Sequence, residues 1–310
     1  MTYTELPDAP PKQYPGAMIE IANVRYRSPW KRDMAVGLVF FNPAKSKRML
    51  MNYFYTLEKL KLAGIPVYTL ELVFNRQEPE IKDAFHVYAK SIMFHKENLC
   101  DLLERKIPWY YSKVLFLDAD IVFGNPNWYS EVSDALSDHD VVQPFTTAVW
   151  MDITYTKATQ IRESVIYMNR EKTFDHKLHP GFAWAFRRSW FRKVGFFKYG
   201  VTGSGDTLSA AAWLGVKFPT TYLKPALVPA YTEFDKLPKP RITCTSGPVF
   251  HMWHGTHANR KYVDRHSILD GVKDIRKVMR PNWTGVFEFS TKGLSEKLAA
   301  YFAERCDDGT

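Results

Sequence analysis

Two carboxylates separated by one residue, Asp118 and Asp120, are the side chains of this sequence best suited to bind a cation. They follow the apolar run 114–117 and precede a second apolar run at 121–123. In an extended strand, side chains at positions i and i+2 point to the same face, so both carboxylates can converge on one ion. Ionised carboxylates beside an apolar core are costly unless compensated, and hard oxygen ligands suit Mg²⁺ or Mn²⁺. Two solvated residues in a turn are the alternative.

Two histidines, His251 and His254, offer a further ligand for the same cation, because a neutral imidazole is acceptable to Mn²⁺. A histidine packed in the core is the alternative for either residue alone. The pair is followed by Gly255 and a polar run, which favours a functional role. We prefer His254 as the ligand, since the glycine after it lets the backbone approach a ligand closely.

A third carboxylate, Asp206, lies in the segment Gly203-Ser-Gly-Asp206, where a glycine-containing loop is expected to meet a helix. Two interpretations stay open from the residues alone. Asp206 could cap the amino terminus of the helix. It could equally be a general base that accepts a proton from an attacking hydroxyl, with the glycines allowing the substrate close approach.

Other polar side chains could contact a ligand of the same cation. Lys96 and Asn98 lie early in a predicted helix, directly before the strand that leads to the aspartates. Arg260 and Arg265 could neutralise a diphosphate, although a solvated helix face explains them equally well.

The elements that must position these residues alternate between strand and helix in the first half of the chain. Apolar runs of strand length occur at 35–41, 66–74 and 113–117, and amphipathic patterns typical of helices at 49–63 and 91–106. This order predicts a parallel sheet with right-handed crossovers, and ligands of such sheets gather beyond the carboxyl ends of the strands. Residues at or near three of these ends, Asn42, Glu71 and Asp118, are therefore expected to face one crevice.

The second half of the chain is less regular. Strands are predicted at 141–145, 182–186 and 249–253, and a helix at 205–215. We predict an α/β fold with a lead-in at 1–33, a single domain at 34–265 and a helical C-terminal extension at 266–310 packed on the core.

The composition bounds the class of protein. With 310 residues, of which 45% are hydrophobic, the chain can bury a sizeable core. The net charge of +9 favours polyanionic or phosphorylated partners, but the basic residues are scattered, which argues against nucleic acid. Three cysteines are too few for a disulfide framework or a thiolate metal site. The proline-rich start has no apolar signal segment, and no run of about 18 apolar residues follows, so a cytoplasmic protein is expected.

The ordered set of motifs resembles the glycosyltransferases of the GT-A fold. Val114-Leu-Phe-Leu-Asp118-Ala-Asp120 is similar to the Asp-x-Asp motif that these enzymes carry at the end of a central strand. His179-Pro-Gly-Phe-Ala-Trp-Ala-Phe-Arg-Arg188 is similar to a segment of family-two-like and polypeptide N-acetylgalactosaminyltransferase-like members. Gly205-Asp206-Thr-Leu-Ser209 resembles the Glu-Asp-x-x-Leu segment of inverting members, with glycine in place of the first acid. A second combination looks like a glycosyltransferase-like group of phages and large viruses, which would place the protein in the host cytoplasm. It consists of His95-Lys-Glu-Asn98, Asp118-Ala-Asp-Ile121, Asn125-Pro-Asn-Trp128, Trp253-His-Gly255 and Asn259-Arg-Lys-Tyr262.

This resemblance implies a Rossmann-like mixed central sheet flanked by helices, and metal-dependent transfer of a sugar from a nucleotide-sugar, most often a UDP-sugar. Mn²⁺ or Mg²⁺ held by Asp118, Asp120 and a histidine would stabilise charge on the departing diphosphate. Asn42 and Glu71 would lie near the nucleoside. Asp206 would deprotonate the acceptor hydroxyl in an inverting reaction, which is favoured, or would orient the acceptor if configuration is retained. The acceptor could be a glycan, a protein or a small molecule, with a modified nucleobase as a further option.

Two other classes of protein fit part of the sequence. A nucleotidyl- or phosphotransferase also uses paired aspartates and a divalent metal, but no Gly-x-x-x-x-Gly-Lys phosphate loop is present. A non-enzymatic, basic protein that binds carbohydrate or nucleic acid would explain the net charge and the aromatic residues. It would not explain why carboxylates gather at the ends of strands.

Overall fold

The structure is a computed structural model that describes residues 15–75, 77–168, 177–216, 223–255 and 264–309. The strands within these residues are β1 Met34–Phe41, β2 Val67–Phe74, β3 Phe85–Ala89, β4 Lys113–Leu117, β5 Ile121–Phe123, β6 Val141–Gln143, β7 Thr147–Met151, β8 Ala158–Glu163, β9 Ala183–Arg187, β10 Ile242–Cys244, β11 Pro248–His251, β12 Met279–Pro281 and β13 Phe287–Phe289. The α-helices are α1 Lys47–Leu62, α2 Lys96–Glu104, α3 Trp128–Asp138, α4 Val165–Met168, α5 Arg188–Phe191, α6 Gly205–Leu214, α7 Val228–Asp235 and α8 Lys292–Ala303. Short 3₁₀ helices span Ile21–Asn23, Asp264–Leu269 and Ile275–Lys277.

The central sheet has seven strands in the order β10-β6-β9-β4-β1-β2-β3. Strand β1 pairs in parallel with β2 and β4, and β2 pairs in parallel with β3. Strand β9 runs antiparallel to both β4 and β6, which makes the sheet mixed. The predicted α/β architecture, a mixed central sheet flanked by helices, is confirmed. The residue pattern predicted a strand at 182–186 but not its direction.

The central strands bury both faces, because helices cover each side of the sheet. Met34, Val36 and Leu38 of β1 pack in one apolar cluster with residues of α1 and α3. Ala35, between them in sequence, packs in a second cluster with residues of α2, α5 and α6. Successive side chains of a strand point to opposite faces, so burial on both sides requires apolar residues at every position. This requirement explains the continuous apolar run by which β1 was predicted.

A second sheet, in the order β5-β11-β7-β8, begins where the central sheet ends. The chain leaves the central sheet after Leu117 and enters the second sheet at Ile121, where β5 pairs antiparallel with β11. Residues 118–120 therefore form the connection between the two sheets. Two backbone hydrogen bonds hold this connection: the amide of Asp118 donates to a carbonyl near the start of β9, and the amide of Met252 donates to the carbonyl of Asp120 at 2.9 Å.

The prediction that an extended strand carries both carboxylates is thus wrong. Strand β4 ends at Leu117, and the two aspartates lie in the turn that follows it. A turn lacks the two-residue alternation of a strand, so nothing in the backbone directs both side chains to one face. Each aspartate consequently finds different partners.

A helix begins close to its predicted position where a capping residue marks its start. It begins elsewhere where contacts with distant residues hold the chain in another conformation. Helix α1 begins after Ser46, whose Oγ accepts a hydrogen bond from the amide of Met49 at 3.1 Å, and Gly64 follows it with a φ of 68°. The helix predicted at 91–106 starts only at Lys96. The residues before it contact α8 instead of continuing the helix, since the amide of Ile92 donates a hydrogen bond to the hydroxyl of Ser295. Strand β3 at the sheet edge was not predicted.

Residues 264–309 pack on the rest of the chain through α8. Leu298 is buried in an apolar cluster that includes Phe197 and Leu208. The ring of Phe302 lies 4.9 Å from that of Phe94. The predicted boundaries after residues 33 and 265 stay predictions. Within the part of the chain that the structure describes, no helix has both the length and the apolar character needed to cross a membrane.

Candidate active site

A cavity of about 550 Å³ opens beyond the carboxyl ends of β1 and β4. The side chains that line it include Asn42 after β1, Lys96 at the start of α2, the turn 118–120, Asp206 in α6 and His251 in β11. These segments are far apart in sequence, and the fold brings them together at the sheet edge where ligands of α/β proteins collect. Of the three residues predicted from the strand ends to face one crevice, Asn42 and Asp118 line this cavity and Glu71 does not.

One wall of the cavity holds a cluster of potential metal ligands. Oδ2 of Asp120 lies 2.8 Å from Nε2 of His254 and 3.5 Å from Nε2 of His251. The two imidazole nitrogens are 3.2 Å apart, and the three ligand atoms all lie within 4.8 Å of one another. The ring of His251 also stacks on Phe182 at 4.8 Å, which fixes its orientation.

The chemistry of this donor set fits a divalent transition metal. Both histidines are only 5% exposed, so their nitrogens are directed inward rather than into bulk solvent. One carboxylate and two imidazoles form a softer set than the oxygen ligands that Mg²⁺ prefers, and Mn²⁺ accepts both kinds. Sequence reasoning proposed both histidines and preferred His254. The structure brings both of them to Asp120.

Asp118 faces a different partner. Its Oδ1 lies 2.6 Å from Nζ of Lys96, and the same ammonium lies 3.9 Å from Oδ2 of Asp206. Burial disfavours the charged ammonium, but the carboxylates of Asp118 and Asp206 outweigh this effect and raise the pKa of Lys96. Lys96 is therefore a fixed cation between two carboxylates of the cavity. The expected sharing of one ion by Asp118 and Asp120 is not what the side chains show.

Asp206 is the second residue of α6, in the first turn after Ser204 at the N-cap position, whose own side chain makes no capping hydrogen bond. Its Oδ1 accepts hydrogen bonds from the amide of Thr207 at 2.7 Å and the Thr207 hydroxyl at 3.2 Å. Its Oδ2 packs against Gly181, where a Cβ atom would come within 2.7 Å of that oxygen and 3.1 Å of Nε2 of His179. A side chain at position 181 would have to displace these two atoms. The close packing fixes Asp206 with an oxygen at the cavity wall.

Glu97 is a further acid in the cavity that sequence reasoning did not identify. It lines the cavity, is 5% exposed, and its carboxylate packs directly against Gly205 at the start of α6. Burial raises the pKa of Glu97 to about 8, with Lys96 opposing the shift and Asp206 adding to it. At neutral pH the side chain is therefore mainly uncharged.

Replacement of Glu97 with glutamine should flatten the pH dependence of stability. The folded protein keeps the carboxyl protonated up to about pH 8, whereas the unfolded chain releases the proton above about pH 4.5. The wild type therefore loses stability as pH rises between these values, by on the order of 1 kcal/mol per pH unit. Urea unfolding at pH 5 and pH 8 measures the difference, with the exposed Glu163→Gln as control. Parallel losses in wild type and Glu97→Gln would contradict the assignment.

Two predicted ligand residues, Glu71 and Asn98, do not line the cavity. The carboxylate of Glu71 accepts hydrogen bonds from the amides of Glu80 and Ile81 at 2.7 and 3.0 Å. Glu71 lies within β2, on the far side of β1 from β4, and braces the loop after its own strand. Asn98 accepts from the amide of Phe287 at 3.0 Å and so holds the β12–β13 hairpin on α2.

The remaining predicted residues divide into three cases. Asn42 lines the cavity, but its side-chain amide both accepts from and donates to the backbone of Ser46, at 2.9 Å each. Arg265 lines the cavity with its guanidinium 4.6 Å above the ring of Phe94. Arg260 lies outside the described residues.

Further residues with charged or imidazole side chains line the cavity without having been predicted as ligands: Arg162, His179, Arg305 and Asp307. The only trace of the last two in the sequence is a charged stretch at 304–308, and such stretches are common on solvated surfaces. Asp307 also contacts His254, a residue about fifty positions away, and no local pattern records such a contact.

No model of a protein family matches the sequence, and no match is found among curated proteins. Similar solved structures include a variant of Drosophila β1,4-galactosyltransferase 7 in complex with manganese, UDP-Gal and xylobiose. The sequence identity is 14% and the TM-score 0.36, and the alignment includes 59% of this chain and 63% of the Drosophila chain. Another is glucosyl-3-phosphoglycerate synthase from Mycobacterium tuberculosis with Mg²⁺ and UDP, at 13% identity, a TM-score of 0.32, and coverage of 73% and 77%. A third is 4-diphosphocytidyl-2C-methyl-D-erythritol synthase from Anaerococcus prevotii, at 10% identity, a TM-score of 0.30, and coverage of 69% and 86%.

The match thus spans less than two thirds of the Drosophila chain. At these identities and TM-scores, the similarities carry no argument about what this protein does. Its activity has to be argued from its own side chains.

Proposed function

We propose that the protein is a metal-dependent glycosyltransferase of the GT-A type, which transfers a sugar from a nucleotide-sugar, first of all a UDP-sugar, to an acceptor hydroxyl. One observation carries the proposal. The cluster of Asp120, His251 and His254 lines the same cavity as the carboxylate of Asp206, at the carboxyl edge of a mixed α/β sheet. A cation site that stabilises a leaving diphosphate and a carboxylate that accepts a proton from the attacking hydroxyl are a combination suited to such a transfer.

The cation cluster and its neighbours suit the diphosphate end of the donor. Asp120, His251 and His254 would hold a divalent cation, with Mn²⁺ preferred to Mg²⁺ because two ligands are imidazoles. When bound, the cation would supply electrostatic stabilisation of the negative charge on the leaving diphosphate. Arg265 adds positive charge to the cavity, and guanidinium groups match phosphate oxygens well. Lys96 contributes a further positive charge, which its two carboxylate partners hold in place.

Asp206 is the candidate base. In an inverting transfer the acceptor hydroxyl would form a bond to the anomeric carbon as the bond to the diphosphate breaks, and its proton would pass to Oδ2 of Asp206. The packing of this oxygen against Gly181 supports the role, because positioning accounts for much of the rate of such a step. If configuration is retained, Asp206 orients the acceptor instead.

The alternative with the same cation cluster is a nucleotidyl- or phosphotransferase, which would act on a nucleoside triphosphate. The cavity holds no feature that favours it over sugar transfer. A basic binding protein without activity would need neither the cation cluster nor the carboxylate of Asp206 packed against Gly181, so this alternative leaves both unexplained.

A panel of nucleotide-sugars and nucleoside triphosphates tests the proposal. With Mn²⁺, we expect slow hydrolysis of one nucleotide-sugar and loss of that hydrolysis on addition of a chelator. As a control, Asp138→Asn changes an exposed carboxylate outside the cavity and should hydrolyse the same nucleotide-sugar at the wild-type rate. Metal-dependent turnover of triphosphates alone would favour the nucleotidyltransferase. Salt-dependent nucleic-acid binding without turnover of any donor would favour the binding protein.

A further inference from the structure

The segment 305–309, which we call the strap, follows α8 and contacts the residues that form the cation cluster. Oδ1 of Asp307 lies 3.5 Å from Nδ1 of His254, on the side of the ring opposite to the Nε2 that faces Asp120. Asp307 is 4% exposed. Its carboxylate is held by the guanidinium of Arg305 at 3.0 Å, so its position is fixed within the strap.

Asp308 anchors the strap to the start of α1. Its Oδ1 accepts hydrogen bonds from the hydroxyl of Ser46 at 2.6 Å and from the amide of Arg48 at 2.8 Å, and its Oδ2 accepts from the amide of Lys47 at 3.2 Å. These amides belong to the first turn of the helix, whose unpaired N–H groups favour a carboxylate. Helix α1 follows β1, so the strap is tied to an element of the central sheet.

The strap also packs closely on the backbone next to His254. Gly255 has a φ of 90°, and a Cβ atom there would lie 3.1 Å from the carbonyl oxygen of Cys306 and 3.3 Å from Cα of Asp307. The sequence suggested that this glycine allows a ligand to approach. The structure shows that it makes room for the strap, in a conformation that residues with a side chain rarely adopt.

We infer that Asp307, which the strap holds beside His254, is a positioning residue of the cation site and strengthens cation binding through that histidine. A histidine that binds a metal through one ring nitrogen commonly directs the other N–H to a carboxylate, which fixes the tautomer and the ring orientation. His254 has this arrangement, with Asp120 at Nε2 and Asp307 at Nδ1. The inference rests on the cation site of the proposed function and adds to it a control by residues some fifty positions further along the chain.

Calorimetric titration with Mn²⁺ alone, without nucleotide, tests the inference. Asp307→Ala is expected to weaken Mn²⁺ binding by about 10- to 100-fold, and Asp307→Asn by less, because the amide oxygen still accepts a hydrogen bond. The comparison variant is Asp308→Asn, which loosens the anchor but leaves the carboxylate beside His254, so it should lose less affinity than Asp307→Ala. Wild-type affinity in Asp307→Ala, or equal losses in Asp307→Ala and Asp308→Asn, would overturn the inference.

A second measurement separates positioning from a general loss of structure. With Zn²⁺ as a diamagnetic probe, the Nδ1–H proton of His254 should be protected from solvent exchange in wild type and should exchange faster in Asp307→Ala, which has no acceptor at this position. Equal exchange in both proteins overturns the inference. Because neither experiment contains a nucleotide-sugar, a wild type that binds Mn²⁺ but turns over no donor would reject the proposed function while the inference stands. A wild type that binds no Mn²⁺ would reject the inference itself.

Discussion

Replacement of Asp120 with asparagine is expected to abolish Mn²⁺ binding and metal-dependent sugar transfer while the fold survives. The carboxylate is the only anionic member of the described cluster with His251 and His254, so its loss removes the charge that attracts the cation. Stabilisation of a leaving diphosphate by a metal is worth several kcal/mol, which corresponds to a fall in kcat of about three orders of magnitude. Asparagine has nearly the same size, and the backbone carbonyl that bonds Met252 is retained.

Asp118→Asn is the matched comparison for this prediction. If both aspartates bound the same ion, Asp118→Asn and Asp120→Asn would lose Mn²⁺ affinity to a similar extent. The structure pairs Asp118 with Lys96 instead, so Asp118→Asn should keep Mn²⁺ binding and lose mainly the order of that lysine. Titration with Mn²⁺, thermal unfolding and donor hydrolysis, each with and without a chelator, measure these effects. Equal turnover by wild type and Asp120→Asn, with or without chelator, would reject the assignment of Asp120.

Replacement of Asp206 with asparagine is expected to lower the rate of sugar transfer to an acceptor by about 10²- to 10⁴-fold, the usual contribution of a general base. Binding of Mn²⁺ and of the donor should persist, because Asp206 contacts none of the three cluster residues in the described contacts. Asparagine can still accept the hydrogen bond from the amide of Thr207, so the start of α6 should remain folded.

The comparison variant is Thr207→Val, which removes the weaker hydroxyl contact at 3.2 Å and leaves the amide contact intact. It should transfer sugar nearly as fast as wild type. Single-turnover kinetics with saturating donor measure the rate. The anomeric configuration of the product, determined by NMR, shows whether Asp206 acts in an inverting or a retaining reaction. Inversion with an inactive Asp206→Asn supports a base. An Asp206→Asn variant with the wild-type rate contradicts any role in the transfer step.

Those parts of the fold that depend on local pattern could be predicted from the sequence. Burial on both faces forces a continuous apolar run, so β1 and β2 were located within one residue at each end, whereas β4 was located at its start and predicted to continue through the aspartates. Helix α1 carries its own start and stop signals in Ser46 and Gly64. The second sheet was harder to predict, since β7 pairs on one side with β8 and on the other with β11, a strand about one hundred positions away.

The residues of the site that could be predicted are those whose polar side chains lie next to apolar runs in the sequence, since such a placement is unusual. Carboxylates between two buried runs, and histidines after a third, are improbable unless something compensates them, and Asp120, His251 and His254 were identified for this reason. Glu97 and Asp307 gave no such signal. Each sits among other polar residues in the sequence, and only the packing of α6 on α2, or of the strap on His254, makes it buried.

The sequence by itself determined which residues could bind a cation and that they would lie at the carboxyl edge of a sheet. Only the tertiary structure decided which of them act together. Asp118 and Asp120 are two positions apart in the chain, yet one pairs with Lys96 and the other with His251 and His254. The reason is physical: the chain changes sheets between them, and side-chain partners are set by distances in space, which the spacing of residues along a turn does not fix.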